Sequence, residues 1–254
     1  MSIIDRTTEG FTVDLSRRIL EDEEIITGVE GSLYANRQDN RYLSYSMIAT
    51  DILERFSPSP KHTILEVCCG AGHLSHFLYK YSGNKNIMAS DGSQELINAA
   101  KKIYEKDLIQ FEVQNINSNM LQEQKDIVIC MDSFHHFTDP VHSLRQLMKL
   151  VKASGHLYMI DLTRSCPMEL VQRRKEAIKN LHEQARFLRS INASFTYLEM
   201  KNNLALAGEK NFQIIYPRKF SQDNVAYHTE WINHDPVKEH LYEEAFLICV
   251  IDKQ

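Results

Sequence analysis

Ile64-Leu65-Glu66-Val67-Cys68-Cys69-Gly70-Ala71-Gly72-His73-Leu74 is the stretch from which the fold is read. An apolar run with one acidic interruption enters a turn of small residues. A helical pattern follows, with apolar residues at Leu74, Phe77, Leu78 and Tyr81. Strand, glycine turn and helix, in that order, open the nucleotide site of a doubly wound α/β domain. Small residues suit the turn because its backbone must approach a ligand and can need positive φ. The chain has only nine glycines, so the pair at Gly70 and Gly72 stands out. Asp91 follows 19 residues after Gly72, at the end of a second apolar run, Asn86-Ile87-Met88-Ala89-Ser90. An acid there is placed to accept hydrogen bonds from a ribose.

Outward from this stretch the rhythm stays strand, helix, strand. Ser93 is a plausible N-cap for a helix carrying Leu96, Ile97, Ala100 and Tyr104. Residues 109–113 read as a third strand and 126–131 as a fourth, whose near-continuous apolar run suits a central parallel strand. Asp139-Pro140 then pairs an N-cap with an N1 proline, opening a helix through Leu144, Leu147 and Val151 that Gly155 ends. Residues 156–162 read as the fifth strand. Upstream, residues 13–27 and 40–56 are expected to be helices, the second ended by Ser57-Pro58-Ser59-Pro60. Downstream, residues 168–191 read as one long helical segment, and β character returns at 211–216 and 245–251.

Two cofactor readings compete for the turn. Gly70-Ala71-Gly72-His73-Leu74-Ser75 nearly fits the dinucleotide pattern G-x-G-x-x-G, with Ser75 for the third glycine, and Asp91 would serve the ribose there too. A Tyr-x-x-x-Lys pattern at Tyr81–Lys85 lies too early to count as a dehydrogenase signature. The wider pattern points elsewhere. Glu66-Val67-Cys68-Cys69-Gly70-Ala71-Gly72 resembles the E/D-x-G-x-G-x-G motif of class I S-adenosylmethionine-dependent methyltransferases, with Cys68 at the first glycine position. Asp91-Gly92-Ser93 resembles the ribose-binding acid and its followers in that family. Gln114-Asn115-Ile116 resembles the adenine segment, with Asn for the usual Asp. Phe134-His135-His136-Phe137 through Leu144, Leu147, Lys152, Gly155 and Asp161 resembles the stretch after the fourth strand. The resemblance covers residues 62–163 well and the remainder poorly.

That resemblance implies a doubly wound, mostly parallel seven-stranded sheet of Rossmann-like type with an α-helical cap. The organisation it suggests is an N-terminal helical cap over 1–60, a cofactor-binding core over 61–164, a helical cap insertion over 165–205 and sheet-completing strands over 206–254. It implies S-adenosylmethionine as cofactor and S-adenosylhomocysteine as product. Glu66 would then lie near the donor's ammonium, or else only tie the turn together. Cys68, Gly70 and Gly72 would let the main chain pass the methionine moiety. Asp91, followed by Gly92, would take the ribose hydroxyls; Asn115 and the Ile116 amide would read adenine; Met131 would lie under the cofactor or fill core. One of Tyr34, Tyr42 and Tyr45 would close over the donor, Tyr34 being the candidate, with hydrophobic packing as the competing role for all three. His135 and His136 are the candidate bases, His135 preferred for standing nearer the strand tip; loop packing is the competing role for both. A phenol acceptor, with pKa near ~10, would profit from such a base, whereas a carboxylate would need none.

The remaining features narrow the partners. Net charge is −5, so nothing draws the chain generally to nucleic acid or anionic membrane. Arg173-Arg174-Lys175, Lys179, Arg186 and Arg189 form a basic concentration, but Glu169, Glu176 and Glu183 interleave with it, as on a solvated helix. Five cysteines without C-x-x-C spacing argue for reduced thiols in a cytoplasmic protein. No metal site is expected: His73 and His76 have a possible ligand spacing yet read as packing or surface residues, and His228 and His234 flank Trp231 in the tail without a legible role. The expected function is methylation of a small organic acceptor, favouring oxygen, in secondary metabolism. A cofactor-binding cyclase and an RNA methyltransferase remain the alternatives, and the oligomeric state stays open, a homodimer included.

Overall fold

The computed structural model describes residues 13–20, 41–116, 123–222, 227–233 and 246–253. In chain order the elements are α1 (Arg41–Phe56), β1 (Ile64–Val67), α2 (His73–Ser82), β2 (Ile87–Asp91), α3 (Gln94–Ile103), β3 (Ile109–Val113) and β4 (Lys125–Met131). A 3₁₀ turn (Phe134–His136) follows, then α4 (Pro140–Leu150), β5 (Val151–Leu162), α5 (Met168–Ala177), α6 (Leu181–Ala193), α7 (Tyr197–Ala207), β6 (Phe212–Gln222), β7 (Tyr227–Asn233) and β8 (Phe246–Asp252).

The strands form one sheet in the order β3-β2-β1-β4-β5-β8-β6-β7. The first five are parallel, and β8, β6 and β7 join antiparallel. The expected seven-stranded sheet is present, and β7, hairpinned onto β6, extends it by one strand. Alternation sorts the central strands between two faces. Leu65, Val67, Val128, Cys130, Leu157 and Met159 pack with Leu144 and Leu147 of α4 and Leu204 of α7. Ile64, Ile127, Ile129 and Ile160 pack with Leu74 and Leu78 of α2 and Ile48 and Ile52 of α1. Successive strands are added outward on one side from β1 to β3 and on the other from β4 to β5, so the crevice at the carboxyl ends of β1 and β4 is the switch point where such sheets take ligands.

The expected caps are present. Ser93 accepts from the Leu96 amide and opens α3. Asp139 accepts from the His142 amide, with Pro140 at N1, and opens α4. Three expectations are corrected. Residues 13–20 are a turn and an extended segment, not a helix. The Asp14 carboxylate accepts from the Ser16 amide at 2.9 Å and from Ser16 Oγ at 2.5 Å, a local turn that competes with helix formation; residues 21–27 lie outside the described residues. The segment 168–191 is two helices, broken at Ile178–Asn180, where Asn180 Oδ1 accepts from the Glu183 amide and starts α6 afresh. Gly155 does not terminate α4, which ends at Leu150. It lies in a register shift of β5, where a Cβ would stand 2.8 Å from the Asp126 carbonyl. Among the described residues no helix is long and apolar enough to cross a membrane.

Candidate functional site

Four strands deliver their carboxyl ends to the crevice. β1 ends in the turn Cys68–Gly72, in which Cys68 (φ 54°), Gly70 (φ 55°) and Gly72 (φ 78°) all take positive φ. A Cβ on Gly72 would stand 2.5 Å from the Phe111 ring, so the glycine is required for both conformation and space. Asp91, at the tip of β2, holds the turn against the next helix. Its Oδ2 accepts from the Gly70 amide and its Oδ1 from the Ser93 amide, both at 2.9 Å. Burial raises its pKa, while those two amides pull the other way. Each oxygen retains acceptor capacity for a further donor. The Gln114 amide donates to the Asp91 carbonyl at 2.9 Å and seats Asn115 and Ile116 beside that tip. Asn115 is exposed, Ile116 is buried in the core, and Gly92 is half-buried between Asp91 and Ser93. Met131 ends β4, partly buried against the isoleucines of that face.

Glu66 sits below the turn, 2% exposed. Its Oε2 accepts from the Ser75 amide at 2.9 Å and from the Ser75 hydroxyl, so it anchors the first turn of α2. These bonds meet the turn-tying role through Oε2. Burial, reinforced by Asp91, pushes its pKa up to about 8 despite the Ser75 bonds. Tyr34 lies outside the described residues. Tyr45 packs against the isoleucine face, its ring 5.4 Å from His73. His73 and His76 are packing residues: His73 Nδ1 meets the Tyr104 hydroxyl at 2.5 Å, and His76 Nδ1 meets Asp107 at 2.6 Å while stacking on Tyr104.

The other wall is built after β4. Asp132 takes positive φ (51°), and its amide donates to the Ile160 carbonyl at 2.8 Å. The 3₁₀ turn then presents His135 and His136. His135 is 2% exposed, and Asp161, near the end of β5, grips it twice. The His135 amide donates to Asp161 Oδ2 at 2.7 Å, and its Nδ1 meets Asp161 Oδ1 at 2.5 Å. A carboxylate at Nδ1 places the ring proton there and makes Nε2 the basic atom. His136 stacks obliquely at 4.0 Å between ring centroids. Burial, with the positive neighbours His135 and Arg186 outweighing Asp132, pushes its pKa down to about 3. His136 is therefore neutral at ordinary pH and a weak base. Ligand atoms of Asp132, His135 and Asp161 lie within 4.8 Å of one another, a spacing compatible with a metal ion, although His135 already engages both Asp161 oxygens.

The sequence did not single out Asp132 or Arg18, and it named Ser75 only as the residue at the third glycine position of the dinucleotide pattern. Arg18 Nη2 donates to the His135 carbonyl at 2.9 Å and to the Phe137 carbonyl at 3.0 Å. Asp161 stood in the sequence only as the end of a motif. An acid inside the apolar run Leu157–Leu162 was its available signal.

A family model described as a methyltransferase domain matches residues 58–245. A malonyl-[acyl-carrier protein] O-methyltransferase of Bacillus anthracis is 25% identical over 173 residues, 67% of this chain and 63% of that protein. A ubiquinone biosynthesis O-methyltransferase of Hydrogenovibrio crunogenus is 26% identical over 119 residues, 45% of this chain and 48% of that one. The matched region thus spans about half to just under two thirds of these relatives. Among solved structures, the plantazolicin methyltransferase BpumL in complex with SAH superposes with a TM-score of 0.63 at 19% identity, covering 88% of each chain; this likeness concerns the fold.

Proposed function

The chain belongs to this methyltransferase-domain family, and on that premise we propose that it is a class I enzyme transferring the methyl group of S-adenosylmethionine to a small organic acceptor, with oxygen the favoured nucleophile. The Asp91 carboxylate carries the cofactor part of the reading: it braces the glycine turn at the switch point and keeps acceptor capacity for the two ribose hydroxyls. Cys68, Gly70 and Gly72 leave room for the methionine moiety, and the first amides of α2 face its carboxylate. Asn115 and the Ile116 amide read the adenine edge, Gly92 gives the ribose clearance, and Met131 lies beneath the cofactor.

The chemistry is in-line displacement. Bound S-adenosylmethionine would supply an activated methyl group, which the acceptor's lone pair would take in line as the carbon–sulfur electron pair passes to sulfur to give S-adenosylhomocysteine. The donor is already activated, so alignment and exclusion of water are the protein's main contributions. His136, with a pKa near 3, is not the base. His135 is the oriented histidine. Because it is buried, its first contribution is the shape of the turn, and Nε2 takes an acceptor's proton only where binding uncovers it. A carboxylate acceptor needs no such step. The relatives' names, both O-methyltransferases, favour oxygen over nitrogen or carbon.

Calorimetry tests the cofactor. S-adenosylmethionine should bind, and Asp91→Ala should weaken it roughly 10- to 100-fold, the value of hydrogen bonds to a charged group. Tight NADH binding in its place would sink the reading. Incubation with a panel of phenols and carboxylates should release S-adenosylhomocysteine in step with methylated product. Product formed without it would point to a cyclase.

A further inference from the structure

We propose that Arg18 is a positioning residue for methyl transfer, locking the His135–Phe137 turn and through it the His135–Asp161 couple. The inference rests on the reading of that turn as the acceptor-side wall.

The contacts of Arg18 converge on one place. Besides the two Nη2 bonds to the turn carbonyls, its Nε donates to the Ala193 carbonyl at the end of α6 at 2.7 Å. Its guanidinium carbon lies 4.1 Å from the centre of the Phe195 ring. Phe195 is itself fixed, because Thr163 Oγ1 donates to its carbonyl at 2.8 Å and the Thr163 and Phe195 backbones bridge. Burial lowers the guanidinium's pKa, with Arg164 adding to it, while Glu199 and, less, Asp161 favour its charge. One planar fork thus ties the histidine turn to the α6–α7 junction and sets a cation near the carboxylate that holds the His135 proton.

The segment bearing Arg18 is built as a strap. Val13 and Leu15 pack against the Leu170, Val171 and Leu188 cluster of α5 and α6. The Asp14 and Ile19 amides donate to Asn192, and Arg164 Nη1 donates to the Leu15 carbonyl. Ser16, Arg17, Ile19 and Leu20 are exposed. The strap adds little apolar burial beyond its anchors, while its most connected polar side chain reaches the histidine turn. An arginine with only a stabilising role would not need that address. Without Arg18 the two carbonyls lose their shared donor and the turn can rotate, carrying the His135 ring off Asp161. A misplacement of about 1 Å near a reacting centre costs roughly 100-fold in rate.

The test compares Arg18→Gln and Arg18→Lys with the wild type and with Arg17→Ala, a control whose 75%-exposed side chain pairs with Asp14. The readout is the far-downfield proton NMR resonance of the His135 Nδ1–H in ¹⁵N-histidine-labelled protein, assigned by its disappearance in His135→Asn. S-adenosylmethionine affinity and melting temperature are measured on the same samples. Arg18→Gln should shift or broaden away the resonance, with affinity held within about threefold. Arg18→Lys, keeping one donor and the charge, should restore part of it, and Arg17→Ala should match wild type. With an acceptor from the panel, turnover should fall roughly 10- to 100-fold in the Gln variant and recover partly in the Lys variant. A wild-type resonance that is absent, or one unchanged in Arg18→Gln, overturns the proposal. Should the Gln variant not fold, a folded Lys variant with an unmoved resonance and unmoved histidine titration overturns it equally. Failure of the methyltransferase reading would instead appear as wild-type protein that does not bind S-adenosylmethionine, whatever the resonance does.

Discussion

Glu66→Gln isolates the most strongly displaced acid of the site. Glu66 is buried, bonded to the amide and hydroxyl of Ser75, and its pKa lies near 8 against an ordinary 4.5. An acid raised in this way favours the fold while protonated. Its contribution is complete below pH 4.5, where folded and unfolded chains both hold the proton, and is lost as pH rises through about 8. The interval corresponds to a ceiling of roughly 5 kcal/mol. Integrated over pH, about 2.5 kcal/mol of it disappears between pH 5 and 7 and roughly 4 between pH 5 and 9. Gln keeps a carbonyl oxygen for Ser75 and cannot ionise. Urea unfolding of both proteins at pH 5, 7 and 9, without cofactor, should find them within about 1 kcal/mol of each other at pH 5. The variant's relative stability should then rise by about 2.5 and 4 kcal/mol at the two higher values. Other titrating groups cancel in the difference, apart from a smaller contribution from Asp91, whose carboxylate is relieved when its neighbour stays neutral. Parallel stability curves would refute the argument and place an ionised Glu66 comfortably in the fold. The cationic donor should favour the carboxylate, so binding at pH 7 should release protons from wild type and fewer from Glu66→Gln, read by calorimetry in buffers of different ionisation heat.

Three further outcomes are expected. Gly72→Ala should cost at least about 2 kcal/mol in urea unfolding, because φ is +78° and the new methyl meets Phe111; adding Phe111→Ala should relieve the clash and leave the backbone strain. His136→Ala should leave the acid limb of the pH–rate profile in place, since its pKa near 3 lies below the working range, whereas Asp161→Asn should move that limb by freeing the His135 ring. Tyr158→Phe should destabilise by about 1–2 kcal/mol in the same unfolding assay, because the buried hydroxyl donates to Asp51 Oδ2 at 2.9 Å and ties β5 to α1.

The cofactor wall was legible because it is local. Residues 64–93 contain the strand, the positive-φ turn, the helix start, Asp91, which we propose takes the ribose, and the Ser93 cap, and each leaves a compositional trace. Glycines mark the turn, alternating apolar residues mark β1 and β2, and Asp91 interrupts an apolar run. Strands β1 to β4 were found to within a residue or two, helped by their apolar runs, whereas β5 begins at Val151, five residues before the expected 156, across the register shift that holds Gly155. The errors have equally local causes. Apolar spacing at Leu15, Ile19 and Leu20 suggested a helix, yet Asp14 bonds to Ser16 and diverts the backbone before helical hydrogen bonds can form. In the segment 168–191 helical spacing runs on through Ile178, and only the capping position of Asn180 shows where one helix ends and another begins.

The acceptor wall was illegible for a different reason. Its parts meet only through topology: Arg18 reaches the His135 carbonyl across 117 residues, Asp161 grips His135 across 26, and Thr163 holds the Phe195 carbonyl across 32. No window of sequence contains such a set. Each member has an ordinary local explanation, as a surface cation, an acid at a strand end or a core aromatic. The sheet order turns these separate residues into one wall, because placing β5 beside β4 brings Asp161 under the histidine turn and carries the chain on toward α6 and α7. A domain built this way keeps most of its proposed donor side in the segment 64–93, with Asn115, Ile116 and Met131 added after β3 and at the end of β4, while the opposite wall is gathered from scattered positions. The proposed role of Arg18 is accordingly tested through contacts of the 13–20 strap and of α6 that no motif marks.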